Sequence, residues 1–187
     1  KIDNIYINSP EAVCGFAASA TCSTFKNVTI CGYIKSSNLA VGLVDNLFSS
    51  DLYNVQNKAT IEGEEAFGIS ANVTETKVDY CANYGKITAI NLASGFFGRF
   101  NVYEENDVLS ISKCANYGKI TGSTASGFVI DCYNATLINS INYGDIEGGG
   151  SAAGLIYKFF GGKVIKSISI GNITIYSSNN YGGLVYD

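Results

Sequence analysis

The chain has 187 residues, 47% hydrophobic and 12% aromatic, which excludes a disordered chain and suffices for one domain, residues 1–187, with its own core. A net charge of -4, from 12 Lys plus Arg against 16 Asp plus Glu, leaves no basic face and argues against nucleic acid or an anionic membrane surface as partner. No apolar run nears the roughly 18 residues of a membrane span, and the complete absence of His removes the commonest general base and metal ligand.

Charged residues make up only 15% of the chain, while Gly occurs 21 times and Pro once, at Pro10, a balance that favours strands and turns. The chain contains no Met, which reads as a processed product or an internal piece of a longer protein. One Ile column sets a repeat along it: Ile7, Ile34, Ile61, Ile87, Ile120, Ile146 and Ile173, at spacings of 27, 27, 26, 33, 26 and 27. Seven to ten residues after each Ile, a Gly precedes an apolar residue, from Gly15-Phe16 and Gly42-Leu43 through Gly154-Leu155 to Gly183-Leu184. Two residues before most of these Gly stands a small residue: Val13, Ala40, Ala66, Ala93, Ala125 and Ala152, with Tyr181 in the last copy.

Ahead of the Ile column lie two more. Gly32, Gly85, Gly118, Gly144 and Gly171 stand two residues before it, and Asn57, Asn83, Asn116 and Asn142 four before it. Both read as corner residues: Gly for a tight or φ > 0 turn, Asn for a turn in which its amide bonds the backbone. A unit of 26–27 residues holding short alternating strands between Gly corners predicts an all-β fold, a right-handed parallel β-solenoid (β-helix) of about seven rungs. At the strand spacing of about 4.8 Å the rod would be roughly 34 Å long, with stability shared between neighbouring rungs. The spacing of 33 places about seven extra residues in Phe100 to Asp107, a loop pushed out from the rod whose Tyr103, Glu104, Glu105 and Asp107 form a possible binding site.

The segment Leu137 to Tyr157, with Tyr143, Gly144, Ile146, Gly148, Gly154 and Leu155 at the matching positions, resembles the GLUG motif, a Gly-rich repeat of bacterial surface proteins and adhesins. Analogous sets begin at Cys81 and Cys114. The chain departs from that pattern in having Ala or Ser where the first Gly of the motif's Gly pair usually stands, except at Gly182-Gly183. The resemblance implies an extracellular stalk or adhesive repeat and carries no catalytic unit with it.

Cys81 and Cys114 each stand six residues before their Ile, so adjacent rungs would stack them within the Cα separation of a disulfide. Cys14, Cys22, Cys31 and Cys132 share no column, and without a Cys-x-x-Cys pair no metal or other cofactor is expected. Four sequons, at Asn27, Asn72, Asn134 and Asn172, are candidate glycosylation sites, with Asn27 and Asn172 expected to face solvent. Glu62, Glu64 and Glu65 read as a solvated turn rather than a catalytic pair, since consecutive residues of a strand point to opposite faces. Tyr84, Tyr117 and Tyr143, three before their Ile, predict an aromatic ladder that either stacks on itself or binds sugar rings. The expectation from sequence is therefore a non-catalytic structural or adhesive module outside the cell or at its surface. Its partners would be itself, stacked head to tail into a filament, or other surface proteins and glycans. The rival is a carbohydrate-binding or carbohydrate-active β-helix.

Overall fold

The structure, a computed structural model, describes residues 2–103, 109–177, 180–182 and 185–186. Among these residues there is no helix, and short strands coil into a right-handed parallel β-solenoid of about six turns. The seven Ile enclose those turns: Ile7 pairs with Ile34, Ile34 with Ile61, and Ile87, Ile120, Ile146 and Ile173 follow in register. The small-residue column is equally in register, from Val13 and Ala40 through Ala66, Ala93, Ala125 and Ala152 to Tyr181.

Each rung repeats one plan. In the third, Gln56–Asn57 and Thr60–Phe67 join one sheet, then Ser70–Thr74 and Lys77–Asp79 join the other. Inside, Ile34, Ile61, Ile87, Ile120 and Ile146 are fully buried, as are Leu43, Ile69, Phe96, Phe128 and Leu155 just past the Gly corner. Phe96 stacks on Phe128 at 4.7 Å. Burying each Ile contributes about 1.5–3 kcal/mol, and only a rung on either side completes that burial: Ile7 and Ile173, each paired on one side, are half-buried. Gly183 and Leu184 lie outside the described residues.

Apart from Gly32, at φ 127°, the Gly corners are required by close approach rather than by a left-handed backbone. A Cβ on Gly42, Gly68, Gly95 or Gly127 would run into the carbonyl of the corner Gly one rung on, and one on Gly118 or Gly144 into that of the Gly one rung back. Left-handed backbone occurs elsewhere, on residues that are mostly not Gly. Asn27, Asn54, Tyr80, Lys113, Asn139 and Lys166 form one column with φ of 47° to 57°, and Cys22, Ser49, Glu75 and Asn134 a second with φ of 46° to 52°. Such a conformation costs a non-Gly residue about 1–2 kcal/mol. The residue after it usually carries a hydroxyl or thiol that offsets this. Ser140 Oγ donates to the Ile138 carbonyl (3.0 Å) and accepts the Cys114 N–H one rung back (3.2 Å); Thr76 Oγ1 does the same for Thr74 (3.1 Å) and Ser50 (3.3 Å). These two corner columns were not visible in the sequence, because Tyr80, Lys113 and Lys166 disguise a position where only the Asn members advertise φ > 0.

The Asn column turns inward. Asn57, Asn83, Asn116 and Asn142 are fully buried, and each Nδ2 donates to the next Oδ1 at 2.7 Å, the last to Ser169 Oγ at 3.0 Å. From Asn83 onward the second N–H of each amide goes to the carbonyl two residues on: Asn83 to Gly85 (3.1 Å), Asn116 to Gly118 (3.0 Å) and Asn142 to Gly144 (2.9 Å). The predicted bond to backbone is present, and a ladder through the core accompanies it.

The extra residues divide between two places. Ile87 to Ala93 holds one residue more than Ile61 to Ala66, absorbed beside the 72%-exposed Ile90. Phe100 to Ile111 holds six more than its counterparts Val73 to Val78 and Cys132 to Leu137. The expected loop start at Phe100 is therefore too early: Phe100 and Val102 are fully buried, and Phe97–Asn101 is a strand.

Candidate functional site

The structure corrects the expected cysteine pairing. Cys81 and Cys114 do stack in adjacent rungs, but all six cysteines are free thiols. In-register stacking holds the Cβ atoms as well as the Cα atoms near the strand spacing of about 4.8 Å, beyond the roughly 3.5–4.5 Å that a disulfide spans. Each sulfur instead takes the place a serine takes higher up the column. Cys114 Sγ accepts the Cys81 N–H (3.3 Å) and donates to the Ser112 carbonyl (3.1 Å), while Cys81 Sγ accepts the Val55 N–H (3.4 Å) and donates to Asp79 (3.4 Å). Burial pushes the Cys114 thiol well up, with the neighbouring Cys81 adding to it, and burial pushes Cys132 up to about 12. Thiols held protonated in this way are poor nucleophiles.

Of the sequons, Asn27, Asn72 and Asn172 are exposed. Asn134 is not available in the same way: it is half-buried, its amide donates to the Val102 carbonyl (3.1 Å), and Thr136, the hydroxyl of its sequon, is buried. In the insertion, Tyr103 is exposed and its backbone N–H donates to Glu75 Oε1 (2.6 Å); Glu104, Glu105 and Asp107 lie outside the described residues.

The aromatic ladder is present. Tyr84, Tyr117 and Tyr143 stack at 4.9 Å with interplanar angles of 4° and 3°, and Lys58 Nζ caps the lower ring at 5.3 Å. Both faces of Tyr117 are covered by its neighbours, so the ladder offers solvent its edges and hydroxyls rather than an open face for a sugar ring. Burial and the two flanking phenols raise the pKa of Tyr117.

One feature of the outer surface has no repeating signature in the sequence. On the outer surface, where the strands before and after the Gly corner meet at a concave angle, Val41, Phe67, Ala71 and Ile130 form an apolar cluster separate from the core. Alternation along each strand explains it: Ala66 and Val129 point into the core, so Phe67 and Ile130 point out. The Phe67 ring leans against Gly98, where a Cβ would meet its Cε2 and Cζ at 2.8 Å. Above this floor lies a cleft of about 210 Å³. Leu39, Glu65 and Leu92 line one wall; Asn72, Arg99 and Asp131 line the other. Arg99 Nη2 lies 3.9 Å from Asp131 Oδ2, whereas Asp131 Oδ1 is buried without a hydrogen-bond partner among the described residues. Glu65 is thus half-buried rather than solvated as expected, and burial, with a smaller effect of Glu64, raises its pKa.

No cluster of three or more metal-ligating side chains occurs among the described residues. Comparison with protein-family models, with curated proteins and with solved structures finds no match for this chain.

Proposed function

We propose that the chain is a non-catalytic structural or adhesive module outside the cell, a rod whose partners are further rungs, supplied by the same chain or by another copy, and other surface proteins or glycans. The observation that carries this reading is the buried Asn ladder, which ties four successive rungs side chain to side chain through the core. Outer side chains are likewise spent on cohesion between rungs: the Tyr stack, Lys35 Nζ with Glu62 Oε2 (3.6 Å) and Lys119 Nζ with Glu147 Oε1 (2.6 Å). Half-buried Ile7 and Ile173 at the outermost described rungs favour further stacking, a heterologous contact that does not close on itself. Exposed Asn27, Asn72 and Asn172 suit an extracellular surface carrying glycans.

Electron microscopy of native material, with a reducing-sugar assay over a panel of polysaccharides, tests this reading. Rods or filaments with no turnover are expected. Isolated globular particles, or release of reducing ends, would overturn it.

A further inference from the structure

We propose that a hollow on the outer face of the sheet containing Thr60–Phe67 binds one N-acetylhexosamine unit of a glycan. The acetamido methyl lies against Ile90 and Ala89, its N–H donates to Glu64, and its carbonyl oxygen accepts from Lys35 and Ser37. This rests on the adhesive reading above, whose glycan it names. The hollow, of about 380 Å³, spans three rungs: Lys35 and Ser37 line its lower edge, Glu62 and Glu64 its middle, and Ala89 and Ile90 its upper edge. A lone exposed Ile needs no explanation. Ile90, however, is 72% exposed beside the one extra residue of its rung, and with the half-buried Ala89 it gives a polar hollow one apolar wall that a ligand can reach.

The polar groups select the ligand, and each keeps bonding capacity to spare. Glu62 spends Oε2 on the Tyr33 hydroxyl (2.8 Å) and on Lys35 (3.6 Å), and Glu64 spends Oε1 on the Asn91 amide (2.9 Å). Glu62 Oε1 and Glu64 Oε2 have no partner among the described residues and, unlike Asp131 Oδ1, are not buried. Lys35 carries three N–H donors, of which Glu62 takes one, and the exposed Ser37 adds a hydroxyl. An acetamide matches this set: methyl for the apolar wall, one donor for a carboxylate, one acceptor for the ammonium and hydroxyl. A free amino sugar would satisfy the carboxylates but leave the wall and the donors unmatched; an unsubstituted hexose would leave the wall bare. Two carboxylates against one ammonium disfavour uronates and sulfated sugars. At about 380 Å³ the hollow lies at the lower end of the roughly 300–1,000 Å³ of small-molecule sites, which fits one substituted ring of a longer chain.

The test is a glycan array carrying oligosaccharides of N-acetylglucosamine and N-acetylgalactosamine, their de-N-acetylated forms and the unsubstituted hexose oligomers, followed by calorimetric titration with the best N-acetylated glycan. The N-acetylated glycans should bind, and the other two sets should bind at least about tenfold more weakly. Ile90→Ser, at an exposed position, should weaken binding about tenfold by removing the apolar wall, and Glu64→Gln about fivefold by replacing a charge-assisted hydrogen bond. Phe48→Ser, an exposed apolar position on the other sheet, should leave it unchanged; circular dichroism confirms that each variant folds. No binding of N-acetylated glycans, equal or tighter binding of the de-N-acetylated forms, undiminished binding by Ile90→Ser or by Glu64→Gln, or an equal loss in Phe48→Ser would each overturn the proposal. Microscopy and the reducing-sugar assay decide the rod reading independently, so the two can fail separately.

Discussion

Removing one amide from the middle of the Asn ladder should cost far more than its own hydrogen bonds. In Asn116→Ala, Asn83 loses the acceptor for one N–H, Asn142 Oδ1 loses its donor and the Gly118 carbonyl loses the amide that bonds it, all in buried positions. A buried polar group left unsatisfied costs about 1–3 kcal/mol, so three of them cost about 3–9 kcal/mol, a large share of the roughly 5–15 kcal/mol that holds a typical domain together. Asn83→Ala orphans Asn57 Nδ2, Asn116 Oδ1 and the Gly85 carbonyl by the same logic. The double variant removes the two groups that face each other and leaves four orphans, on Asn57, Asn142, Gly85 and Gly118, where the two single variants together leave six. Its cost should therefore be about 2–6 kcal/mol less than the sum. Guanidinium unfolding followed by circular dichroism measures all three. Additivity of the two single variants to within about 0.5 kcal/mol would refute the argument, because it would show that the amides are not coupled through the core.

Three further outcomes follow from other columns. Gly95→Ala drives a Cβ into the carbonyl of Gly127, a backbone atom that cannot swing away, and should cost at least about 3 kcal/mol. Gly150→Ala, whose Cβ would meet nothing nearer than 3.6 Å, should stay within about 0.5 kcal/mol; the same guanidinium unfolding reads both. Cys114→Ser should be within about 1 kcal/mol of the parent because Ser140 already makes those bonds one rung on, while Cys114→Val orphans the Cys81 N–H and should cost about 1–3 kcal/mol; alkylation in denaturant without reductant should modify all six cysteines. Burial raises the Glu65 pKa in the folded state, so the native chain binds that proton more tightly than the unfolded one and stability falls as pH rises through the carboxylate range. Glu65→Gln should accordingly raise the melting temperature at pH 7 and leave it unchanged at pH 3; a lowered value at pH 7 would contradict the direction.

What could be read from sequence was whatever repeated with an identity. Ile, Ala, Gly and Asn recur because stacked rungs place identical side chains in identical surroundings: the Ile, Ala and Asn columns pair in register, and successive corner Gly approach each other too closely for a Cβ. Direction was harder. Asn reads as a turn residue, and the burial of Asn83 and Asn116 adds a core ladder that this reading does not contain. The left-handed corners were hidden because the backbone, not the side chain, defines them: Asn27, Tyr80 and Lys113 share a φ and little else. The disulfide failed for a related reason, since the spacing correctly placed Cys81 over Cys114, but parallel stacking fixes Cβ separation along with Cα separation. The start of the insertion was misplaced because register, not polarity, sets it, and Phe100 belongs to the core through its pairing with Val73 and Cys132.

Repetition also explains why the cleft was invisible. A column that repeats presents the same group on every rung, which suits cohesion but cannot define a unique site. The outward columns beside the Gly corner do not repeat: one runs Leu39, Glu65, Leu92 and Thr124, the other Asn72, Arg99, Asp131 and Lys158. Selection for stacking alone leaves such positions free to vary, and at one height of the rod they set the buried Phe67 and Ile130 between Glu65 and the Arg99–Asp131 pair. Specificity in a solenoid has to reside where its columns break, and the flank around Phe67, Gly98 and Asp131 is one of the concave breaks among the described outer surfaces.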